Sequence, residues 1–302
     1  MSILRLPDEL LVEIVNPSAT TDAAALSRVC HRFYRLSTPV LYRTLDIDLI
    51  SRPSQAAALH RTLGKNDGLR AYCRVLGLRL PGDNSGVDSR RYKVAEDVVG
   101  DLISWATGTV ELCIDGDYIR PDCREALWDA IRAAVRNMPN LEKLALGARD
   151  EKQVFLEDIR DFLAQDQGEK LRTLEIGIGV LSGYSTPMAV APSQIGSSCI
   201  TSLSVGYLLA ARVNLAQLLL LPAQLEHFAF VGTSPGCYWS WSLFDLVSGL
   251  APHQASLRTL RVAAPRSHED SISGEPPFAP GPPVDYSPFK QLKGVTFTAP
   301  PA

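Results

Sequence analysis

The chain has 302 residues, of which 46% are hydrophobic and 21% charged, and its formal net charge is -3 at pH 7. This composition is ordinary for a globular protein and allows one large domain plus a small module, while the weak negative charge predicts no broad nucleic-acid-binding surface. The longest purely aliphatic run, residues 218–221, is far too short to span a bilayer. We therefore predict that the protein binds neither nucleic acid nor membrane.

The first predicted element is a helix over residues 6–15, with the sequence LPDELLVEIV. Pro7 suits the first helical position because its ring fixes φ and its missing N–H costs nothing there. Asp8 and Glu9 follow in the first turn, where the helix dipole favours negative charge. Four apolar residues then recur at helical spacing, which predicts an amphipathic helix: Leu10, Leu11, Ile14 and Val15.

A second helix is predicted from Thr21 or Asp22, either of which can cap it, to about Leu36. Thr38 as a cap and Pro39 as a first residue predict a short third helix. Three helices built from about 45 residues cannot bury a self-sufficient core. Part of their apolar surface must therefore meet another protein or the rest of the chain. The apolar stripe of the second helix comprises Leu26, Val29, Cys30, Phe33 and Leu36.

The first 45 residues resemble an F-box, the module through which receptor subunits bind the SKP-type adaptor of SCF complexes, the cullin–RING ubiquitin ligases. The segments LPDELL (6–11), VCHRFYRL (29–36) and LYRTL (41–45) carry the resemblance. Ser18, where an apolar residue is expected, and Ala23-Ala24, where the family often has leucines, depart from it. The alternative is an ordinary helical hairpin that caps a larger domain. By position, the resemblance implies adaptor contacts from Leu6, Pro7, Leu10, Ile14, Val29, Cys30 and Phe33.

A second pattern recurs from residue 42 onward: an apolar residue, two others, an apolar residue, one other, and an apolar residue. Consecutive copies begin 25 to 36 residues apart. The pattern resembles leucine-rich repeats, in which a short strand returns through a helix or loop to the next strand. The copies are Tyr42/Leu45/Ile47, Cys73/Leu76/Leu78, a looser Thr109/Leu112/Ile114, Leu141/Leu144/Leu146, Leu171/Leu174/Ile176, Ile200/Leu203/Val205, Leu225/Phe228/Phe230, Leu257/Leu260/Val262 and Leu292/Val295/Phe297.

We therefore predict an α/β chain: a three-helix F-box at residues 1–45, followed at residues 46–302 by a leucine-rich-repeat-like solenoid with a curved parallel sheet. The repeats are degenerate and resemble those common in fungal F-box proteins. Two segments rich in glycine, serine and proline, 179–199 and 264–288, are predicted to be loops. Helices are predicted between strands where apolar stripes occur, near residues 94–105, 127–138, 155–163 and 243–250.

No constellation of residues predicts catalysis. Gly177-Ile178-Gly179 follows a predicted strand, but the spacing of its glycines departs from the phosphate-binding fingerprint and no helix follows, so we expect a flexible strand exit. The five histidines are far apart in sequence, which disfavours a zinc site. Cys30 and the adjacent His31 would point about 100° apart on a helix and cannot act as a pair. We predict no enzymatic activity, no cofactor and no metal.

Two surfaces are alternatives for binding a target protein. A loop holding Tyr238, Trp239 and Trp241 follows a predicted strand, and aromatic residues of this kind often anchor a partner, although they can equally pack beneath the next helix. The strand positions between the inward-facing residues would line the concave side, where mostly small side chains favour close approach of a partner backbone. Their central column is Gly77, Cys113, Ala145, Glu175, Ser204, Ala229 and Arg261.

The sequence therefore predicts a non-catalytic substrate receptor of an SCF-type cullin–RING ubiquitin ligase. Its F-box would bind the SKP-type adaptor and its repeats a target protein. A protein-interaction scaffold outside ubiquitination, using the same repeat domain, is the alternative. Six dispersed cysteines without a Cys-x-x-Cys pair, and an N-terminus without the features of a secretory signal, predict the cytoplasm, the nucleus or both.

Overall fold

The computed structural model describes residues 3–16, 20–80, 89–116, 121–147, 153–164, 170–180, 189–209, 212–230, 242–263 and 282–298. Within these ranges an N-terminal group of helices precedes a long alternation of parallel strands and helices. None of the helices in these ranges is long and apolar enough to cross a membrane.

The N-terminal module consists of α1 (Asp8–Val15), α2 (Thr20–Ser27) and α3 (His31–Leu41). Pro7 is the N-cap residue of α1, one position earlier than predicted. Pro39 was predicted to begin a third helix, but it lies in the last turn of α3. The missing N–H of Pro39 removes one backbone hydrogen bond from the helix. The helix still continues past Pro39, where the Tyr42 amide donates to the Thr38 carbonyl at 3.1 Å.

The predicted helix over residues 22–36 is interrupted between α2 and α3. The amides of Arg28 and Val29 bond to carbonyls three residues back, at 3.1 and 3.0 Å, and tighten the last turn of α2. The Ser27 hydroxyl donates to the Ala24 carbonyl at 2.8 Å, which satisfies a further terminal group. Cys30 is extended, with φ -161°, and α3 starts after it. The continuous apolar stripe in the sequence concealed this break.

The remaining described residues contain one sheet of ten strands, all parallel. Nine strands follow one another across the sheet in sequence order, and the short β5, which was not predicted, pairs with β6 beside this path. The strands are β1 (Thr44–Asp48), β2 (Val75–Arg79), β3 (Glu111–Asp115), β4 (Lys143–Leu146), β5 (Gln153–Phe155), β6 (Thr173–Val180), β7 (Ser202–Leu209), β8 (His227–Phe230), β9 (Thr259–Ala263) and β10 (Gly294–Thr298).

The apolar pattern correctly predicted the nine sequential strands, because each copy falls on one of them. Equivalent positions lie in register: Leu112 is opposite Leu144, Leu144 opposite Leu174, and Leu174 opposite Leu203. All four side chains are fully buried. An apolar position repeated on neighbouring strands produces a continuous apolar layer on one face of the sheet.

Helices connect the strands on the apolar side. The helices near residues 94–105, 127–138, 155–163 and 243–250 were predicted, and those at residues 53–65, 67–70 and 212–218 were not. Ser242 caps the helix Leu243–Gly249: its hydroxyl accepts the Asp245 amide at 3.1 Å and its own amide donates to the Asp245 carboxylate at 3.0 Å. The bounds are α4 (Pro53–Lys65), α5 (Asp67–Arg70), α6 (Ser89–Trp105), α7 (Pro121–Asn137), α8 (Leu156–Ala164), α9 (Arg212–Leu218) and α10 (Leu243–Gly249).

The glycines near residue 177 were predicted to form a strand exit. This prediction was wrong, because β6 continues to Val180. Gly177 lies opposite Gly206 in β7, and a Cβ on Gly206 would sit 2.4 Å from the Gly177 carbonyl oxygen. The two backbones therefore approach too closely for a side chain, which explains the glycine at position 206. Residues 181–188 and 264–281 of the predicted loops lie outside the described residues.

Buried side chains form two separate clusters. The larger one extends through the sheet from Leu45 in β1 to Phe289 near the last strand. The smaller one belongs to the N-terminal module and, among the described residues, has three buried members, Leu11, Val15 and Phe33. Two residues separate α3 from β1, and the carbonyl of the second, Arg43, accepts the amides of Arg74 and Val75 at 2.8 and 3.0 Å. The module is therefore joined directly to the backbone of the sheet.

Candidate partner-binding surfaces

A charged clamp fixes the start of α1 against α3. The Asp8 carboxylate accepts Arg32 Nε at 2.6 Å and also Arg35 Nη2, while Arg32 Nη2 donates to the Leu6 carbonyl at 2.6 Å. The hydrogen bond from Arg32, with the charges of both arginines, outweighs partial burial and holds the pKa of Asp8 below its usual value. The clamp orients the exposed side of α1 relative to α3.

The core of the module corrects one predicted adaptor contact. Phe33 is only 2% exposed and packs with Leu11 and Val15, which are fully buried. A side chain enclosed in this way supports the module and offers no surface to a partner. The half-buried residues around this core are Leu6, Leu26, Cys30, Leu36 and Val40.

The module also exposes several large apolar side chains. Within the described part of the chain, eight large apolar side chains are exposed, and five of them belong to this module. Val29 is the most exposed of the five, at 63%. Leu10, Ile14 and Val29 are among the residues predicted to contact the adaptor, and Ile3 and Tyr34 are not.

The structure thus separates the seven predicted adaptor-facing residues into groups. Leu10, Ile14 and Val29 are exposed, as is Pro7 at the start of α1. Leu6 and Cys30 are half-buried, and Phe33 is enclosed. Exposed Leu10 and buried Leu11 are neighbours in α1, so helical periodicity alone could not tell which side of the helix faces inward.

On the sheet, the face opposite the apolar layer carries a short ladder of charges. Lys143 Nζ in β4 lies 3.1 Å from Glu111 Oε1 in β3 and 3.0 Å from Glu175 Oε1 in β6. Burial lowers the pKa of Lys143, but the bonds to Glu175 and Glu111 outweigh it and the pKa is raised. All three side chains are about one-third exposed.

The small central column predicted for this face is only partly open. Cys113 and Ala145 are 4% and 3% exposed, so they cannot serve as a contact surface. From Glu175 onward the column is accessible, through Ser204 and Ala229 to the exposed Arg261. The surface that a partner backbone could approach is therefore confined to β6–β9.

A cavity of about 570 Å³ lies beside β1 and the first turns of α4. The Asp48 carboxylate at its rim accepts the amides of Ile50 and Ser51 at 2.9 and 2.7 Å and lies 3.3 Å from Arg79 Nη1. Burial raises the pKa of Asp48, but these contacts outweigh it and hold the pKa below its usual value. Asp48 is therefore an anion that closes the turn after β1.

The side chain of His253 is buried, and both of its ring nitrogens contact backbone groups. Its Nε2 lies 2.7 Å from the Leu219 carbonyl, and its Nδ1 accepts the Leu225 amide at 3.3 Å. Burial lowers the pKa of His253, partly offset by the bond to Leu219. Both ring nitrogens thus hold backbone groups of the connection between α9 and β8. The described residues contain no cluster of His, Cys, Asp and Glu suited to a metal ion.

Tyr238, Trp239 and Trp241, the residues predicted to bind a target, lie outside the described residues. They follow β8, which ends at Phe230. Their role remains a prediction from the sequence.

Comparison with protein families agrees with the geometry of the N-terminal module. Residues 3–48 match the F-box-like family, so the chain carries an F-box-like domain at this position. F-box domains bind SKP-type adaptors of cullin–RING ligases, which suggests an adaptor-binding role in an SCF complex. A search of curated proteins gave no match to the chain.

Proposed function

We propose that the chain is a non-catalytic substrate receptor of an SCF-type cullin–RING ubiquitin ligase. The F-box, residues 1–45, binds the SKP-type adaptor, and residues 46–302 form a curved leucine-rich-repeat-like domain of the degenerate fungal type that holds a target. The chain contributes to the reaction by positioning the target protein, because partners in the complex carry out the chemistry. We place this activity in the cytoplasm, the nucleus or both.

One observation carries the adaptor-binding part of the proposal. Within the described residues, the F-box-like domain has an apolar core of three side chains yet exposes five large apolar ones, in a module too small to be stable without further burial. A concentration of large exposed apolar side chains in so small a module favours a protein interface there. The sequential strands and repeated register support the leucine-rich-repeat-like assignment.

The adaptor interface is tested with exposed residues, since changing Phe33 would disturb the core. We expect the triple variant Leu10→Ala, Ile14→Ala and Val29→Ala to lose adaptor co-purification, because interface anchors contribute roughly 2 kcal/mol or more each. The matched control removes the exposed apolar side chains of the sheet region, Tyr72, Ile195 and Phe244. Equal adaptor recovery from a folded triple variant and from the parent would refute the assignment.

A protein-interaction scaffold outside ubiquitination remains the second candidate, since the same two regions would serve it. Ubiquitination assays on proteins that co-purify with the chain distinguish the two. A receptor yields ubiquitin conjugates that depend on Leu10, Ile14 and Val29, whereas a scaffold binds the same proteins without modifying them.

A further inference from the structure

The accessible part of the open sheet face is a trough with a charged group at each end. Glu175 in β6, Ser204 in β7, Ala229 in β8 and Arg261 in β9 are successive partners in the register of the strands. Serine and alanine are short, so the floor between the two long charged side chains is low. Three strand spacings of 4.7–4.9 Å place the ends about 14 Å apart.

Among the described residues, the positions on both sides of this trough carry no bulky apolar side chain. Thr173, Ser202, His227 and Thr259 form the neighbouring register column, and His227 Nδ1 lies 2.8 Å from Thr259 Oγ1. On the other side, where β6 meets β7, the close approach of Gly177 and Gly206 excludes side chains. The trough therefore presents hydroxyl groups, which can donate and accept hydrogen bonds to an extended peptide.

The two ends carry opposite charge. At one end, Glu111 and Glu175 share the single ammonium group of Lys143, which leaves one net negative charge. At the other end, Arg261 is exposed, and no ion pair or hydrogen bond of its guanidinium occurs within the described ranges. A ligand that lies across the strands thus meets an acidic group first and a basic group about 14 Å further on.

We propose that this trough binds an extended segment of the target protein in which a basic and an acidic residue are separated by three residues. Residues four apart in an extended chain project from the same face and span about 13 Å, close to the distance between the charged ends. This proposal rests on the proposed receptor function, because the bound segment is assigned to the target protein. It specifies the class of segment that is recognised.

Synthetic peptides test the proposal with the full-length chain. The probe is a short fluorescein-labelled peptide with one lysine and one glutamate separated by three neutral residues, and the comparison peptides carry two lysines or two glutamates at the same spacing. Fluorescence anisotropy at low ionic strength should show the tightest binding for the lysine–glutamate peptide. Exposed ion pairs are weak, so we expect roughly a threefold preference per matched charge.

Reversing one end of the trough should change the preferred peptide. Arg261→Glu should favour the two-lysine peptide over the lysine–glutamate peptide, whereas Arg136→Glu, the same change at an exposed position in α7, should not. Lys143→Gln should tighten binding of lysine-containing peptides, because it frees two carboxylates. Equal binding of all three peptides, no binding of any of them, or an unchanged preference in Arg261→Glu would overturn the proposal.

Adaptor co-purification with the same variants separates this inference from the proposed function. Arg261→Glu should recover adaptor as well as the parent does. A parent chain that selects the lysine–glutamate peptide but recovers no adaptor would preserve the trough and refute the receptor function. Adaptor recovery without peptide selectivity would do the reverse.

Discussion

The F-box-like domain and the sheet bury apolar surface in opposite ways. Within the described residues, the apolar core cluster of the domain has three members, and five large apolar side chains are exposed. The sheet encloses its repeated apolar positions from end to end, and its three exposed large apolar residues within the described chain are far apart in sequence. A marginal module with an apolar surface gains stability from a partner, whereas a self-sufficient sheet has mainly polar groups to offer. We expect the two regions to recognise partners through different chemistry.

The largest effect is expected from breaking the smaller core. Phe33→Ala should remove about 3–5 kcal/mol from the F-box-like domain, as aromatic truncations in cores do. With so few other buried side chains, α1–α3 should lose protection from hydrogen exchange while the sheet retains it. Tyr34→Ala changes an exposed neighbour and serves as the control. Uniform loss of protection through both regions would show that they unfold as one unit.

Leu174→Ala tests the larger core. Leu174 is fully buried in β6 between Leu144 and Leu203, so truncation should cost about 2–5 kcal/mol in urea-induced unfolding. Thr173→Ala, on the opposite face of the same strand, should cost much less. Near-equal losses for Leu174 and Thr173 would contradict the assignment of the apolar layer.

The strands were predictable because their signal is local and repeated. Each copy of the apolar pattern marks one strand, and the alternation of Leu144 and Leu146 fixes which face is buried. Helix α4 was missed although Pro53 at its start is a recognised signal. Its buried residues, Ala56 and Leu63, are too few to form a strong stripe.

The sites were less predictable because they depend on contacts between distant residues. Phe33 has the composition of an interface anchor, and only packing against Leu11 shows that it lies inside. The charge ladder had a usable signal, since Glu111 and Lys143 occupy the same position in consecutive copies of the repeat. Aligning the copies would have placed them side by side. The diagonal contact from Lys143 to Glu175 required the structure.

A smaller effect is expected from the clamp at α1. Asp8→Asn keeps the size of the side chain but removes the charge that pairs with Arg32 and Arg35. We expect faster hydrogen exchange in α1 and a partial loss of adaptor recovery, because the exposed side of α1 is less firmly oriented. Glu9→Asn, next to Asp8 and exposed, is the control. Unchanged exchange in α1 would show that apolar packing alone holds the helix.

The smallest effect should separate the two regions by pH. His253 has a pKa below its ordinary value of 6.5, so its stabilising contribution is complete above that pH and is lost as the pH falls toward the lower folded-state value. Asp8 has a pKa below its ordinary value of 3.8, so its contribution is complete above that pH and disappears in stronger acid. The sheet should therefore weaken in mild acid, before the clamp of the F-box-like domain does.

Hydrogen exchange resolved by region can measure this order. Between about pH 8 and pH 5, protection near His253 should fall relative to protection in α1, after correction for the intrinsic pH dependence of exchange. His253→Gln should remove this difference, because an amide does not titrate, whereas His227→Gln, at an exposed histidine of β8, should leave it. Among the other described groups with shifted pKa values, the carboxylates are lowered and the tyrosines, Cys73 and Lys143 are raised, so each titrates outside this interval. Equal loss of protection in α1 and around His253 would mean that the direct join between α3 and β1 couples the two regions into one cooperative unit.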